Sequence, residues 1–313
     1  MCDFMGIKNL ACASRAEQKC FFDSFDCILS DMDGVIWVGY KPLPGTAECV
    51  QSLKTIGKTV SFVTNNGTIS TDTIYKLLQN HKFSIGSKDI VNPITAYITV
   101  LHKLGFEKTA FVLGSTELQE ELKKAGFKVA QNPPHPVGET ISEVSKQLED
   151  DKEIGAVIID YDINLSMMKL QKALMYLRRS DCYFIIGASD KSVPFPQYGS
   201  VLGNYYFIES LKDLSGRKPL QMAKPSSDFT NFIMEQFNFL NPKRVLFIGD
   251  SITEDMQFAT NSGFQKLLVL TGVTKIEDVH EWKHEEKYKP QYYVDSIGAL
   301  NLILGKLKIK EMC

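Results

Sequence analysis

Asp31-Met32-Asp33-Gly34 sets two carboxylates two positions apart, behind a mostly apolar run (Phe25 to Leu29) and ahead of a second (Val35 to Val38). A carboxylate so placed can attack phosphorus and hold an acyl phosphate that water then cleaves, which divides one hard step into two. Alone the tetrapeptide says little, because acidic turns with glycine are common. Its weight comes from three later stretches of the chain, in this order: Thr64-Asn65-Asn66, then Lys224-Pro225, then Gly249-Asp250 with Asp255 beyond it.

Each residue has a role in that chemistry. Asp31 is the candidate nucleophile. The Asp33 side chain is the candidate general acid for the leaving oxygen and then the base for water. Attacker and phosphate are both anionic, so a cation must neutralise them, and Mg²⁺ suits an all-oxygen site. Asp31, Asp250 and the backbone carbonyl of Asp33 are its candidate ligands. Gly34 lets the loop backbone approach phosphate. Thr64, Asn65 and Asn66 are candidate donors to phosphoryl oxygens near a helix N-terminus; the competing reading of Thr-Asn-Asn-Gly is an N-cap and turn. Lys224 is placed to pair with the nucleophile and the phosphoryl group. Asp255 stands behind the ligands, holding a metal-bound water or Lys224, and its competing reading is an acidic helix start.

Short apolar runs alternate with helical patterns along the chain. Cys27 to Ser30, Thr59 to Val63, Thr109 to Leu113, Ala156 to Ile159, Phe184 to Ile186, Val245 to Ile248, Lys266 to Leu270 and Tyr292 to Val294 read as strands. Helices are expected between them, among them Thr46 to Ile56, Thr71 to Gln79, Ile94 to Leu104, Ser166 to Leu177, Asp228 to Phe237 and Thr253 to Asn261. This alternation predicts an α/β fold with a doubly wound parallel sheet. In such sheets ligands bind at the carboxyl ends of strands, and Asp31, Thr64 and Asp250 each fall at such an end. Residues 1 to about 22 read as a short leader in which a helix-compatible stretch, Ala11 to Lys19, packs loosely, and Asp190 to Gly203 as a long irregular loop.

The bulk numbers are those of an ordinary globular protein: 313 residues, 44% hydrophobic, 23% charged, net charge −2. No basic excess draws in nucleic acid or an anionic membrane. No run approaches the length of a membrane span, and the N-terminus lacks a signal-peptide layout. Seven scattered cysteines without a Cys-x-x-Cys pair argue against zinc and a disulfide framework, and read as reduced thiols of an intracellular protein. No Gly-x-Gly-x-x-Gly follows the first strand, so dinucleotide binding is disfavoured.

With these motifs in order, the chain resembles the haloacid dehalogenase superfamily of aspartate-nucleophile phosphatases. More narrowly it resembles the 4-nitrophenylphosphatase group, with phosphoglycolate and pyridoxal phosphatases. The likeness runs from about Phe25 to Leu304. It is strongest at Ser30 to Val38, Val63 to Asn66, Ile159 to Asp162 with Lys169-Leu170, Lys224 to Ser226, Ile248 to Asp255, Val269 to Val273, and Tyr292 to Ser296. The resemblance implies a Rossmann-like core, residues 23–106 and 212–313, and an inserted smaller α/β cap, residues 107–211. It also implies Mg²⁺, the cytoplasm and a homodimer through the cap.

The chain departs from the group in that cap. Ser200-Val201-Leu202-Gly203 stands where a Pro-Gly-Thr-Gly turn is usual, and Gly187-Ala188-Ser189-Asp190 replaces an Ala-Thr-Asn run. Val193-Pro194 stands where pyridoxal-specific members tend to have His-Pro, which counts against pyridoxal phosphate. The expected activity is hydrolysis of small organic phosphate monoesters, 4-nitrophenyl phosphate included and phosphoglycolate a candidate. In this expectation the cap residues Asp160 to Asn164 and Asp190 to Tyr198 face the core. The alternative is a catalytically weak paralogue that binds or regulates. A phosphonatase is disfavoured, because no cap lysine is placed for a Schiff base.

Overall fold

The computed structural model describes residues 3–4, 6–134, 136–195 and 199–309. They divide into two compact units. The first holds residues 1–64, 72–91 and 224–313; the second holds 65–71 and 92–223. The chain therefore passes between units four times, and Thr64 and Lys224 are the first unit's terminal residues at two of these passages.

The first unit is built on an eight-stranded sheet. From one edge its strands are Asp3–Phe4, Ile7–Asn9, Tyr292–Val294, Gln265–Val269, Val245–Gly249, Cys27–Ser30, Thr59–Val63 and Ile90–Val91. Every pairing is parallel except that of Asp3–Phe4 with its neighbour. The central strand Val245–Gly249 is buried at every position. Val-Leu-Phe-Ile-Gly is a continuous apolar run, as a parallel strand covered on both faces requires. From Cys27–Ser30 the chain adds strands to one side, through Thr59–Val63 to Ile90–Val91. It later returns on the other side with Val245–Gly249. The strand order thus reverses between Cys27–Ser30 and Val245–Gly249, the position where open α/β sheets bind their ligands.

Two features of the first unit differ from the sequence expectation. The leader is built into the sheet: Ile7–Asn9 pairs with Tyr292–Val294, and Ile7 and Leu10 are fully buried. The helix Arg15–Asp23 follows behind a capping box of Ser14 and Glu17, and Phe21 and Phe22 are buried. Cys12 is disulfide-bonded, which corrects the expectation of reduced thiols at that position; Cys20, Cys27, Cys49 and Cys182 are free.

The second unit has a five-stranded sheet in the order Leu220–Gln221, Tyr183–Ile186, Ile154–Ile159, Thr109–Leu113, Lys128–Val129, all parallel. The helices Met167–Leu177 and Tyr205–Ser215 bury Ala173, Leu177, Ile208 and Leu211 in one cluster with Val157 and Phe184. The segment expected as an irregular loop contains an antiparallel hairpin, Ser192–Phe195 with Gly199–Leu202. Residues 196–198 lie outside the described residues. The strands were hidden because Gly199, Ser200 and Leu202 are exposed and Pro194 demotes the run.

At the carboxyl end of Ile154–Ile159, Asp160 is 4% exposed. Its Oδ2 accepts from the Tyr97 hydroxyl at 2.6 Å and its Oδ1 from the Tyr161 amide at 2.6 Å. Burial pushes its carboxyl up to about 6, the two donors oppose that, and the Asp190 charge adds to it. The folded state therefore holds this proton more tightly than the unfolded chain. Asp160 penalises folding as pH rises from about 3.8 to about 6, and the full penalty is present above that window. Asp160→Asn removes it, since Nδ2 can donate to the Tyr97 oxygen. Thermal melts should show the variant gaining on wild type between pH 4 and pH 7.5, by about 2–3 kcal/mol at most. A difference that stays flat with pH rejects the assignment.

Candidate active site

Asp31 follows the strand Cys27–Ser30 and is tied across the sheet by its amide, which donates to Ile248 O at 2.8 Å. Asp250 follows the neighbouring strand Val245–Gly249. Two adjacent strand ends therefore bring two carboxylates side by side. Lys224 lies just before the helix Ser227–Phe237, which Ser226 caps. Phe229 of that helix packs against Phe258, and Phe258 against Phe247. The Lys224 ammonium lies 5.4 Å from the centroid of the Phe247 ring.

The charges meet at short range. Lys224 Nζ donates to Asp31 Oδ1 at 2.6 Å and to Asp255 Oδ1 at 2.7 Å. Asp255 sits in a π turn, Ile252–Met256, and its Oδ2 accepts from the amides of Asp250 and Ser251 at 2.9 and 3.0 Å. The acidic pair thus encodes one loop that closes on its own backbone and grips the ammonium. Asp250 Oδ2 accepts from the Val273 amide at 2.6 Å, and the Asp250 carbonyl from Thr274 N at 3.0 Å. The backbone comes so close here that a Cβ on Gly272 would lie 1.8 Å from Asp250 Oδ2. Gly34 has φ +81° and its Cβ would meet the same oxygen at 2.6 Å. Any side chain at either position would displace the carboxylate.

Thr64 directly follows the strand Thr59–Val63; its amide donates to Val91 O at 3.0 Å, and its hydroxyl is hydrogen-bonded to the Asp33 carboxyl. Asp33 Oδ1 also accepts from the indole of Trp37 at 3.0 Å. Asp31, Asp33, Thr64, Lys224, Asp250 and Asp255 all belong to the first unit. Asn65 and Asn66 open the second, directly after Thr64. Asn66 Oδ1 accepts from the amide and hydroxyl of Thr68 at 3.0 and 2.6 Å, the local turn that was the competing reading. The helix that follows begins at Thr71, the start its sequence pattern gave. Sequence reasoning missed Trp37, Thr271, whose hydroxyl donates to Gly34 O, and the Gly272-Val273 backbone. The signals available for them were an aromatic four positions after an acid, a glycine in a strand-end loop, and the family likeness at Ser30 to Val38 and Val269 to Val273.

This cluster carries a surplus of negative charge. Asp31, Asp250 and Asp255 offer oxygens within 4.8 Å of one another, and Lys224 is the cation bonded to two of them. All four residues are at most 7% exposed. Burial would lower the Lys224 ammonium, but Asp255 and Asp31 outweigh it and hold it above its ordinary value. Burial and then the charges of Asp255 and Asp250 push Asp31 well up, against the pull of Lys224. Burial and the Asp255 charge push Asp250 up to about 7. Asp33 is exposed as a residue, yet its surroundings desolvate its carboxyl and push it up, with Trp37, Lys224 and Thr64 opposing. Lys224 therefore stays charged, and the excess of carboxylates calls for protons or for a further cation. These hydrogen bonds engage one oxygen each of Asp31 and Asp250, and both oxygens of Asp255. The remaining oxygens of Asp31 and Asp250, hard donors in an all-oxygen setting, fit a divalent cation.

Known proteins resemble this chain over most of its length. A haloacid dehalogenase-like hydrolase model matches residues 28–128, and a second model of HAD-hydrolase-like type matches residues 221–300. A 4-nitrophenylphosphatase of Schizosaccharomyces pombe is 33% identical over 294 residues, covering 92% of this chain and 97% of that protein. This chain belongs to the haloacid dehalogenase-like hydrolase family. The chloroplastic phosphoglycolate phosphatase 1A of Arabidopsis thaliana is 28% identical, with 88% and 76% covered. The crystal structure of a 4-nitrophenylphosphatase from Thermotoga maritima has the same fold, with a TM-score of 0.73 at 24% identity over 90% of this chain and 98% of that one. The chain is thus an α/β member of that family, with a parallel-sheet core and a separate smaller cap sheet, and its enzyme class is that of a phosphatase.

Proposed function

We propose that this phosphatase hydrolyses small organic phosphate monoesters through an aspartyl-phosphate at Asp31, with Mg²⁺ as cofactor. One observation carries the reading: Asp31, Lys224, Asp255 and Asp250 form one buried ionic cluster at the point where the strand order reverses. An Asp31 oxygen forms a bond to phosphorus as the bond to the leaving oxygen breaks, and Asp33 gives that oxygen its proton. Water then attacks the phosphoryl group, Asp33 takes a proton from it, and Asp31 is released with inorganic phosphate. Lys224 stays charged throughout and balances charge on Asp31 and the transferring group. Thr64, with Asn65 and Asn66 after it, is read as the phosphate-binding segment. Asp31, Asp250 and the Asp33 carbonyl would hold the cation, which when bound supplies charge neutralisation between attacker and phosphate.

The second unit is read as the cap that selects the organic part of the substrate. The insertion inferred from resemblance, residues 107–211, lies wholly within it. Within that unit Asp160 is bonded to Tyr97, and Asp162 is paired with Lys169 at 2.7 Å. The resemblance alone supports a cytoplasmic homodimer paired through the cap.

Hydrolysis of 4-nitrophenyl phosphate is the direct test, because an activated leaving group needs little help from the cap. Excess chelator should bring turnover to background, and added Mg²⁺ should restore it. Activity that is indifferent to chelator counts against the carboxylate metal site. A panel with phosphoglycolate, pyridoxal phosphate, nucleoside monophosphates and a phosphotyrosine peptide identifies the substrate class. Silence across that panel with metal bound favours a binding or regulatory paralogue.

A further inference from the structure

Trp37 is 1% exposed, and its indole N–H is aimed at Asp33 rather than at a backbone carbonyl. The loop that carries Asp33 also carries this partner. Gly34 N donates to Trp37 O at 2.8 Å, and the amides of Val35 and Ile36 to Met32 O at 3.2 and 2.9 Å. Trp37 then begins a two-residue strand paired with Lys41–Pro42, and its ring stands edge-on to Tyr40 with centroids 5.5 Å apart. Backbone, strand and ring contacts thus immobilise the donor. A buried tryptophan is ordinarily core packing, and its N–H need not find a reactive partner. Trp282, the other tryptophan of the chain, buries Nε1 with no hydrogen bond among the described residues.

The chemistry of the pair is directional. Indole N–H is a donor only, so it claims a lone pair of Asp33 Oδ1. That favours the second oxygen, Oδ2, as the one that carries a proton. The Thr64 hydroxyl gives the carboxyl a further hold from the end of the strand Thr59–Val63. A general acid works only when its proton is presented along the line to the leaving oxygen. Fixing one carboxyl oxygen by a rigid donor removes the rotation about the Cβ–Cγ bond that would otherwise spread that proton over many directions.

We infer that Trp37 is a positioning residue of the phosphatase reaction, clamping Asp33 through Oδ1 so that Oδ2 exchanges the proton with the leaving group and with water. This rests on the acid–base role proposed for Asp33. In the first step the Asp33 proton passes to the leaving oxygen as the Asp31 oxygen–phosphorus bond forms. In the second a proton of the attacking water returns to Asp33 as that bond breaks, so the carboxyl ends as it began.

The test is Trp37→Phe, which keeps a buried ring and removes the donor, on aryl phosphates graded from 4-nitrophenyl to 4-methoxyphenyl. The readout is kcat/KM, which reports the steps through phosphorylation of the enzyme. A poor leaving group depends on the acid and a good one does not. The variant should therefore lose about tenfold more kcat/KM on 4-methoxyphenyl phosphate than on 4-nitrophenyl phosphate, the worth of one hydrogen bond to an ionisable partner. Equal losses on both esters, or no loss, overturn the inference, because a merely structural role moves all substrates together. Asp33→Asn is measured alongside. If Asp33→Asn itself shows no preference, the acid–base reading falls and takes the inference with it. If Asp33→Asn is selective and Trp37→Phe is not, the inference alone falls. Should Trp37→Phe fail to fold, replacing Trp37 with 3-benzothienylalanine, which keeps the ring size with sulfur in place of N–H, decides by the same comparison.

Discussion

Asp31→Asn should abolish turnover of 4-nitrophenyl phosphate while leaving the protein folded. An amide oxygen is a poor nucleophile and cannot carry the acyl phosphate, so the loss should reach at least about four orders of magnitude. The stability side of this prediction is equally specific. The substituted amide still offers an oxygen to Lys224, and Lys224 keeps its bond to Asp255 at 2.7 Å. The substitution removes one negative charge from a cluster with too many, where the Asp255 and Asp250 charges push Asp31 up. Without metal, the variant should melt at or above the wild-type temperature. Retained turnover above a few per cent rejects Asp31 as nucleophile. A large fall in melting temperature rejects the surplus-charge account of the cluster.

Lys224→Met should do the opposite to stability and cost activity as well. The methionine fills similar space over Phe247, but Asp31 and Asp255 lose the ammonium that bonds to both. Removing one partner of a buried ion pair leaves uncompensated charge, which costs about 3–5 kcal/mol. Denaturant unfolding in the presence of chelator measures it. A saturating divalent cation should recover part of the loss, because it binds the carboxylates that the lysine no longer serves. Turnover should fall at least about a hundredfold even with metal, since charge on the transferring group is then less well balanced. A Lys224→Met protein as stable as wild type would mean that the ammonium does not hold the carboxylates together.

Parts of the fold were legible for a plain reason. Cys27–Ser30, Thr59–Val63, Thr109–Leu113 and Tyr292–Val294 have the limits their mostly apolar runs suggest, because a parallel strand covered on both faces favours apolar residues at nearly every position. Two helix starts fall within one residue of the expected Ile94 and Ser166, at Pro93 and Met167, where Asn92 and Ser166 cap them. The hairpin Ser192–Phe195 with Gly199–Leu202 was not, since exposed strands need no apolar run. Nor was the burial of Ile7 and Leu10. Ile-Lys-Asn carries no pattern by itself, and its partner strand lies at the other end of the chain, Tyr292–Val294.

The order of acids, threonine and lysine, each at the end or start of a recognisable element, was enough by itself to state a chemistry and to name its candidate residues. Side-chain type and local periodicity are properties of short stretches of chain. Only the tertiary structure could bring Lys224 to 2.6 Å from Asp31 across 193 positions, turn Asp255 back onto the Asp250 amide, and set the Trp37 indole on Asp33. It also decided the charge states, because burial and the distances between charges exist only once the chain has folded.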